Sequence, residues 1–380
     1  MKHLVAQIHP ADNVLVALVD LPIGTPVAAG GATVTTTAAI PAKHKLALRP
    51  LAPGDAVTMY GVLVGRMRQP LAQGGLLTTA NLRHATDGYA GPAARAPWTA
   101  PNVAAWAGRT FRGYHRADGR VGTANHWLVV PLVFCENRNI QVLREALVDD
   151  LGYGRRRGYQ GHTQTLIALL RAGKSVEEIL RADLPAAGAG APAPPRLFPN
   201  VDGVHFLTHA GGCGGTRQDA QALCGLLAGY ITHPNVAGAT VLSLGCQNAQ
   251  VSMLREEIRR RDPHFDKPLF ILEQQQLGTE EALVGQALRQ TFAGLMRANE
   301  QRRRPAPLSK LTLGLECGGS DGFSGISANP AVGHAADSVV ALGGAVILAE
   351  FPELCGVEQE IVNRAVSPGV AHRFTALMRA

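Results

Sequence analysis

The chain has 380 residues, of which 46% are hydrophobic and 17% are charged, so it is a globular protein of two or three domains and not a disordered one. Its net charge is +7, but the basic residues are scattered, which favours an anionic small molecule over a nucleic-acid partner. No apolar run reaches the roughly 18 residues that span a bilayer, and the N-terminus lacks the apolar core of a signal peptide, so we expect no membrane partner and a cytoplasmic location.

The first 84 residues predict a small all-β domain. Short apolar runs such as Val14–Val19 and Lys45–Leu48 are separated by turn-forming Pro and Gly residues. Residues 85–105 hold many Pro, Ala and Gly and no periodic pattern, which predicts a linker. A similar stretch at 183–200 predicts a surface loop.

From residue 106 onward, strand-length apolar runs alternate with helix-length segments. This alternation predicts one α/β domain over residues 106–380, with an open, mostly parallel, Rossmann-like sheet. The predicted strands are Trp127–Phe134, Gly203–Thr208, Ala239–Leu244, Pro268–Leu272, Leu311–Leu315 and Ala345–Leu348. The helices predicted between them include Ile140–Leu151, Gln218–Tyr230, Gln250–Arg261, Glu280–Ala298 and Ala331–Leu342.

Polar side chains follow every one of these predicted strands. The first four are followed by CENRN, HAGGCGG, GCQN and EQQQ, the fifth by ECGGSD, and the sixth by Glu350 and Glu353. Ligands bind at the carboxyl ends of the strands in open α/β sheets. If the sheet is parallel, these groups converge on one edge, and that edge is the predicted site.

Four cysteines lie in or beside these loops, and they are Cys135, Cys213, Cys246 and Cys317. Thiolates together with imidazole and carboxylate groups favour a transition metal, iron or manganese. An iron–sulfur cluster is a further option, because such clusters use cysteine ligands. The alternative is that free cysteines are small buried apolar residues, and this is the reading we favour for Cys224 and Cys355.

The glycine-rich loops have two interpretations. Their backbone N–H groups could bind phosphate, but GGCGGT at 211–216 matches neither common nucleotide-binding pattern, which leaves a nucleotide-dependent oxidoreductase as the weaker alternative. Glycine also lets the backbone approach any ligand closely.

Two histidines of the all-β domain, His9 and His44, each begin a predicted strand. A lone histidine is usually structural or solvated. Two of them, near Asp12 and the lysines Lys43 and Lys45, could bind a metal or a carboxylate.

Over nearly its whole length the sequence resembles the altronate/galactarate dehydratase family. IHPADNVLVAL, IPAKHKLAL and YGVLVGR are similar to the family's N-terminal SAF domain, which has a β-clip-like fold. Five further motifs follow in the family's order, of which the fourth is the most specific: FRGYHRADGRVGTANHWLVVPLVFC, THAGGCGG, HPNVAGATVLSLGCQNAQ, LECGGSDGFSGISANPAVG and ILAEFPELCGVE.

The resemblance implies a hydro-lyase that removes water from a sugar acid, with altronate first among the candidates, to give a 2-keto-3-deoxy acid. It also implies a divalent metal, usually Fe²⁺ and alternatively Mn²⁺. Metal-binding roles would fall to His9 and His44 and to Cys135, Cys213, Cys246 and Cys317.

The chemistry of dehydration suggests further roles. The proton α to a carboxylate is weakly acidic, so its removal needs a base and an electrophile. The candidate bases are His209, Glu316, Asp321, Glu350 and Lys45. The candidate substrate-binding residues are Arg120, Arg138, Asn137, Gly318, Gly319, Ser320 and Asn248.

Three departures from the family's pattern shape the alternative. The family continues well past Ala380, so the chain apparently lacks its C-terminal segment; Gln247 stands where many members have Glu; and Ala124 replaces an arginine. The alternative is a non-catalytic sugar-acid-binding protein or an incomplete dehydratase subunit. Its assembly would be a homodimer, or a complex with a partner chain that supplies the missing segment.

Overall fold

The computed structural model describes residues 3–29, 31–91, 98–154, 159–185, 195–319 and 321–379. These residues form two units. Unit 1 joins Met1–Ala107 to Leu311–Ala380, and unit 2 is the continuous segment Gly108–Lys310. The sequence had suggested a single α/β domain from residue 106 to the last residue, whereas the residues from Leu311 onward group with the N-terminal part of the chain.

The N-terminal part of unit 1 is the predicted all-β domain, built from short antiparallel strands. The strands are β1 (Val5–Ala6), β2 (Val14–Ala17), β3 (Pro26–Ala29), β4 (Ala32–Thr35), β5 (Lys45–Ala47), β6 (Ala56–Met59), β7 (Val62–Met67), β8 (Leu76–Leu77) and β9 (Leu82–His84). One sheet has the order β1-β2-β5-β8, a second has the order β6-β7-β9, and β3 pairs with β4. A short 3-10 helix, Ala104–Trp106, follows.

Strand β2 contributes side chains to two apolar cores of this domain. All four of its residues are buried, and alternate side chains point to opposite faces of the strand. Leu15 and Ala17 pack in one apolar core, and Val14 and Val16 pack in the other.

Unit 2 contains two sheets, a set of helices and two short 3-10 helices, Phe134–Glu136 and Leu308–Lys310. Its strands are β10 (Thr110–His115), β11 (Val121–Gly122), β12 (His126–Pro131), β13 (Gly203–Phe206), β14 (Val236–Ser243), β15 (Leu269–Glu273) and β16 (Arg304–Pro307). Its helices are α1 (Asn137–Leu147), α2 (Gln160–Arg171), α3 (Val176–Leu180), α4 (Arg217–Thr232), α5 (Val251–Arg261), α6 (Gln274–Leu277) and α7 (Glu280–Glu300).

A four-stranded parallel sheet with the order β13-β12-β14-β15 is the centre of unit 2. Strands β12 and β14 are apolar on both faces, as is usual when helices cover both sides of a parallel sheet. Helices α1 and α7 contribute to the apolar core on one side, and α4 and α5 contribute to the core on the other. The smaller sheet β11-β10-β16 is antiparallel.

The C-terminal part of unit 1 follows the predicted order of strand, glycine-rich loop and helix. Its elements are β17 (Thr312–Leu315), a 3-10 helix (Ser324–Ile326), α8 (Ala328–Ala341), β18 (Ala345–Leu348), a 3-10 helix (Phe351–Leu354), α9 (Glu358–Asn363) and α10 (Pro368–Arg379). Strands β17 and β18 pair in parallel and form a sheet of their own.

The mixed α/β character with an N-terminal all-β domain is therefore confirmed, but the single, mostly parallel, Rossmann-like sheet is not. Of the six predicted strands, four form the parallel sheet of unit 2, and the other two pair with each other in unit 1. The remaining sheets are small and antiparallel. The apolar runs were correct indicators of strands, but a run of apolar residues carries no information about which strand will be its neighbour.

Candidate functional site

Three of the predicted cysteines follow three adjacent strands of the parallel sheet. Cys213 follows β13, Cys135 follows β12, and Cys246 follows β14, in the order in which these strands lie side by side. All three thiols are free and exposed. Because parallel strands end at the same edge, the three loops form one surface, which we call the thiol rim (Cys135, Cys213 and Cys246).

Backbone hydrogen bonds hold the three loops of the thiol rim together. The N–H of Phe134 donates to the Gly211 carbonyl over 2.9 Å, and the N–H of Ala249 donates to the Gly212 carbonyl over 3.0 Å. The middle loop is therefore bonded on both sides, to the residue before Cys135 and to a residue just after Cys246.

Glycines with positive φ precede two of the three cysteines. Gly212 has φ 97°, and Gly245 has φ 118°. A Cβ atom at Gly212 would overlap the carbonyl oxygen of Leu132, so a larger residue there would separate the loop from β12. Phosphate binding was one interpretation of the glycine-rich loops. In the structure, these two glycines place Cys213 and Cys246 at the edge of the sheet.

The three thiols are close enough to affect one another. Burial raises the pKa of Cys135, and the neighbouring thiols of Cys213 and then Cys246 raise it further, against the lowering effect of its own backbone N–H. A raised pKa is the opposite of what an activated cysteine nucleophile has. It also disfavours the thiolate form in which cysteine binds a metal ion.

Both ring nitrogens of His209, a predicted base, make hydrogen bonds within this loop system. Its Nε2 lies 2.8 Å from the Pro131 carbonyl, and its Nδ1 accepts the Gly211 N–H over 3.1 Å. These contacts assign the proton to Nε2, because a carbonyl can only accept. In this arrangement His209 positions the loop that carries Cys213.

Two of the predicted substrate-binding residues near the thiol rim donate hydrogen bonds to its loops, and a third forms an ion pair. Asn137 donates to the His209 carbonyl over 2.8 Å, and Asn248 donates to the Gly215 and Thr216 carbonyls over 3.4 and 3.3 Å. Arg138 is 75% exposed at its side chain and pairs with Glu280 at 2.6 Å.

Arg120 lies elsewhere in unit 2. Its guanidinium contacts Asp118 at 2.5 Å and donates to the Thr232 carbonyl over 2.9 Å. Thr232 ends α4, just before β14 begins, so Arg120 is at the amino ends of the parallel strands and is not brought to the thiol rim.

Three residues at the rim were not among the predicted site residues. Glu136, next to Cys135, is 1% exposed; Asn139 donates to its Oε2 over 2.8 Å, and its Oε1 has no hydrogen-bond partner among the described residues. Arg217, the first residue of α4, contacts the Asn248 carbonyl at 3.4 Å and adds a cation to the rim. The only signal that the sequence contained was their position, since Glu136 lies within the motif CENRN and Arg217 directly follows GGCGGT.

Gln247, the third of these residues, closes its own loop. Its Oε1 accepts the Gly245 N–H and its Nε2 donates to the Ser243 hydroxyl, both over 2.6 Å. A glutamate could accept from both groups, because a hydroxyl can donate as well as accept.

The other predicted site residues lie in unit 1, around the glycine-rich loop 316–327. Glu316, Cys317, Gly318, Gly319 and Asp321 are exposed there, as is Glu350 after β18; Ser320 lies outside the described residues. Asn329, in the first turn of α8, donates to the Cys317 sulfur over 3.6 Å.

Two residues of the all-β domain contact this loop, and both have left-handed backbones. Lys43 (φ 72°) pairs with Asp321 at 2.7 Å and lies 5.1 Å from the ring centre of Phe323. Tyr60 (φ 58°) places its hydroxyl 2.9 Å from where a Cβ of Gly325 would be. Left-handed conformations cost energy outside glycine and cluster at functional sites.

The two histidines of the all-β domain have local partners. The His9 Nδ1 accepts the Ala11 N–H over 3.1 Å, and the His44 Nδ1 lies 3.3 Å from the Ala42 carbonyl. Lys45 donates to the Lys43 carbonyl over 3.1 Å.

Taken together, the six predicted metal ligands divide between the units. Cys135, Cys213 and Cys246 are in unit 2, and His9, His44 and Cys317 are in unit 1. Within the described ranges, no three His, Cys, Asp or Glu side chains are grouped as ligands of one metal ion.

Three family models match consecutive parts of this sequence. The altronate/galactarate dehydratase SAF domain matches residues 3–85, the second domain of D-galactarate dehydratase/altronate hydrolase matches 113–299, and the C-terminal model of D-galactarate/altronate dehydratase matches 308–380. The expected absence of the C-terminal segment is therefore corrected, since a match to the C-terminal domain begins at residue 308.

Relatives with described activities match the chain over nearly its whole length. It is 30% identical to the altronate dehydratase of Bacillus subtilis over 98% of its residues and 32% identical to that of Escherichia coli over 94%. It is 26% identical to the galactarate dehydratase (L-threo-forming) of Escherichia coli over 97%. The chain spans 65%, 62% and 63% of the lengths of these three proteins, respectively.

Proposed function

Because this chain belongs to the altronate/galactarate dehydratase family, we propose that it is a hydro-lyase that removes water from a sugar acid, with altronate as the first candidate, to give a 2-keto-3-deoxy acid. One observation carries the proposal: models of the family's three domains match the chain in order from residue 3 to residue 380.

The reaction sets three demands on the protein. A carboxylate must be held, a weakly acidic α-proton must be taken by a base, and the departing hydroxyl must be protonated or bound by an electrophile. Substrate orientation by fixed polar groups lowers the barrier by removing the entropy cost of alignment.

The thiol rim offers cations for the substrate carboxylate. Arg138 and Arg217 both lie beside it, and guanidinium groups bind carboxylates in a forked, two-bond geometry. Arg138 would exchange its exposed partner Glu280 for the substrate, which costs little because surface ion pairs contribute only about 0–1 kcal/mol.

The candidate base remains one of the five predicted residues. The side-chain hydrogen bond from Lys43, the backbone N–H of Phe323 and the charge of Lys43 lower the pKa of Asp321, so this residue is a carboxylate at neutral pH. Lys45, Glu316 and Glu350 are solvent-accessible groups of the same unit, and His209 would have to release the Pro131 carbonyl to act.

Metal dependence also belongs to the proposal. When bound, a divalent ion such as Fe²⁺ or Mn²⁺ would stabilise the charge that develops on the carboxylate. The described residues do not, however, form a ready site for one ion, because the predicted ligands are divided and no group of three is present among them.

The experiment is anaerobic turnover by the purified chain, with and without ferrous iron, on altronate, galactarate and related sugar acids, with 2-keto acid formation followed over time. Product from one acid establishes the dehydratase and identifies its substrate. No product from a folded, metal-supplemented protein with any of these acids would overturn the proposed activity.

A second candidate is a dehydratase subunit that needs a partner chain. It is favoured by apolar side chains on the C-terminal part of unit 1: Ile347 and Leu348 of β18 are 59% and 54% exposed, although a parallel strand is usually covered on both faces. Binding of altronate without turnover, followed by turnover when a partner polypeptide is added, would support this candidate over the first.

A further inference from the structure

We propose that Lys43 and Tyr60 are positioning residues, which hold the glycine-rich loop 316–327 in the conformation that binds the sugar acid. The two side chains are called the latch (Lys43 and Tyr60). The inference rests on the proposed function, because this loop carries Glu316 and Asp321, two of the candidate bases. The latch and the loop both belong to unit 1.

The first argument is the backbone of Tyr60. Tyr60 and Gly61 form the two-residue turn between β6 and β7, since Met59 pairs with Val62. Both turn residues have positive φ, 58° and 77°, as the type I′ turn of a hairpin requires. Asparagine followed by glycine is the favoured sequence for this turn, so a tyrosine in the first position costs energy that asparagine would avoid.

The second argument is that the backbone of Lys43 is fixed in a left-handed conformation. Its φ is 72°, its N–H donates to the Ala17 carbonyl over 2.8 Å, and its carbonyl accepts from the Lys45 Nζ over 3.1 Å. Strained residues persist where the surrounding structure fixes them, and they cluster at functional sites. The strain at Lys43 therefore directs attention to the contact that its side chain makes.

The third argument is that both side chains of the latch reach the same short segment of the loop. The Lys43 Nζ lies 2.7 Å from Asp321, and a Cβ at Gly322 would be 3.4 Å from the Lys43 Cβ, so the lysine stem lies along the backbone there. The Tyr60 hydroxyl lies beside Gly325, 2.9 Å from where a Cβ would be. The two strained turns thus act on one segment, residues 321–325.

This segment orients the carboxylate of Asp321. The Asp321 Oδ1 accepts the Phe323 N–H over 3.3 Å, and the Asp321 carbonyl accepts the Ser324 N–H over 3.0 Å. Ile326, which ends the following 3-10 helix, packs against an apolar core of the all-β domain. Because Ile326 keeps this contact, loss of the latch should loosen the loop near Asp321 without detaching it from the domain.

Order in the loop has a direct effect on substrate binding. When a ligand binds only one conformation, its apparent dissociation constant rises as the population of that conformation falls. Substrate that is bound has already selected the ordered loop, so turnover of the complex changes less. Removal of the latch should therefore raise KM more than it lowers kcat.

The test uses the full chain and the variants Lys43→Gly and Tyr60→Asn. Both changes remove a latch side chain and place a residue that suits a left-handed backbone, so the all-β domain should still fold. The readouts are hydrogen–deuterium exchange of peptides from 316–327, turnover of altronate and related sugar acids, and altronate binding by calorimetry. We expect exchange to quicken by roughly threefold to tenfold and KM to rise by up to about the same factor.

Lys174→Met is the matched control. Lys174 pairs with Glu178 at 2.9 Å in unit 2, and their side chains are 46% and 52% exposed, against 44% and 51% for Lys43 and Asp321. This variant should change neither the exchange of the loop nor KM. Lys43→Arg keeps the cation, so it should keep both values closer to those of the parent than Lys43→Gly does.

Three results would overturn the inference. They are unchanged loop exchange in both latch variants, a loosened loop with unchanged KM and unchanged altronate binding, and a lower kcat at unchanged KM, which would make the altered residue a catalytic one. Faster exchange with weaker altronate binding, in a chain that dehydrates none of the acids, would support the latch and contradict the activity. Turnover with the same KM in the parent and both latch variants would support the activity and contradict the latch.

Discussion

At the scale of single residues, Lys43 combines a left-handed backbone with two contacts to the glycine-rich loop 316–327. Its φ of 72° is unfavourable for any residue with a Cβ, and its side chain pairs with Asp321 and lies against Phe323. The ion pair is exposed, so its own contribution to stability is at most about 1 kcal/mol. The strain is therefore comparable with the energy of the contact that it makes possible.

Two substitutions at Lys43 separate strain from contact. Lys43→Ala removes the contacts and keeps the strain, whereas Lys43→Gly removes both, so we expect the Gly variant to be more stable than the Ala variant by about 1 kcal/mol. Urea unfolding of both proteins measures this difference. Asp321→Asn, which leaves residue 43 unchanged, reports the ion pair alone, and a Gly variant less stable than the Ala variant would show that the backbone is not strained.

At the scale of elements, the packing of α7 on the parallel sheet depends on a glycine, Gly294. Trp127 of β12 is fully buried and donates to the Thr240 hydroxyl over 3.1 Å. A Cβ at Gly294 of α7 would overlap its indole ring, so the glycine creates the space that the tryptophan fills.

Gly294→Ala should destabilise the protein by about 1–3 kcal/mol, because a methyl group there overpacks the core. Gly285→Ala is the matched control on the same helix, where a Cβ would be 4.0 Å from its nearest neighbour. That change should be neutral or stabilise by up to about 1 kcal/mol, since Ala has the higher helix propensity. Chemical denaturation compares the two, and equal effects would show that the overlap at Trp127 is relieved without cost.

A half-buried lysine, Lys267, binds the C-terminal end of α4. Lys267 donates to the carbonyls of Ile231, Thr232 and His233 over 3.4, 3.1 and 2.7 Å, which satisfies acceptors that the end of a helix leaves unpaired. Burial lowers the pKa of Lys267 to about 7, and the charges of Arg116 and Arg120 lower it further.

This pKa predicts a pH-dependent stability. Between about pH 7 and the ordinary lysine pKa of 10.5, the unfolded chain holds a proton that the folded protein has released. The free energy of unfolding should therefore rise with pH in this window, by about 1.4 kcal/mol per pH unit from this group. Below pH 7 Lys267 is protonated in both states, so this pH dependence should be absent.

Unfolding of Lys267→Met across the same pH range measures this contribution as the difference in slope from the parent protein. The control is Lys310→Met, which removes an exposed lysine that donates to the Gly119 carbonyl over 3.1 Å and should leave the slope unchanged. Parallel slopes for the Lys267 variant and the parent would contradict the lowered pKa.

At the scale of the whole molecule, the two units differ in how the chain forms them. Unit 2 is continuous, and both of its apolar cores consist of its own residues. Unit 1 is discontinuous, because β17, β18 and α8 belong with the all-β domain that begins the chain. Among the described residues, no helix is both long and apolar enough to cross a membrane.

The continuous unit should fold without the rest of the chain. We expect a fragment of residues 108–310 to unfold in one cooperative transition, because it contains both cores that stabilise the parallel sheet. Thermal unfolding followed by circular dichroism and tryptophan fluorescence is the measurement. A fragment with helical signal but no cooperative transition would mean that unit 2 depends on contacts with unit 1.

The sequence by itself determined the local structure. Alternation of apolar runs and turn residues predicted the N-terminal β strands, and the periodic segments predicted α1, α4, α5, α7 and α8 within a few residues, because these patterns depend on neighbours along the chain. It also placed Cys135, Cys213 and Cys246 after strands, and parallel strands that lie together end at one edge.

Only the tertiary structure decided which elements meet. The predicted sheet of six strands became one of four and one of two, and Lys43 contacts Asp321 across 278 positions of sequence. The roles of Glu136, Arg217 and Lys267 likewise depend on burial and on distant partners. Such contacts arise from packing between segments that are far apart in the chain, and the residue types within one segment do not specify the partner that packing will provide.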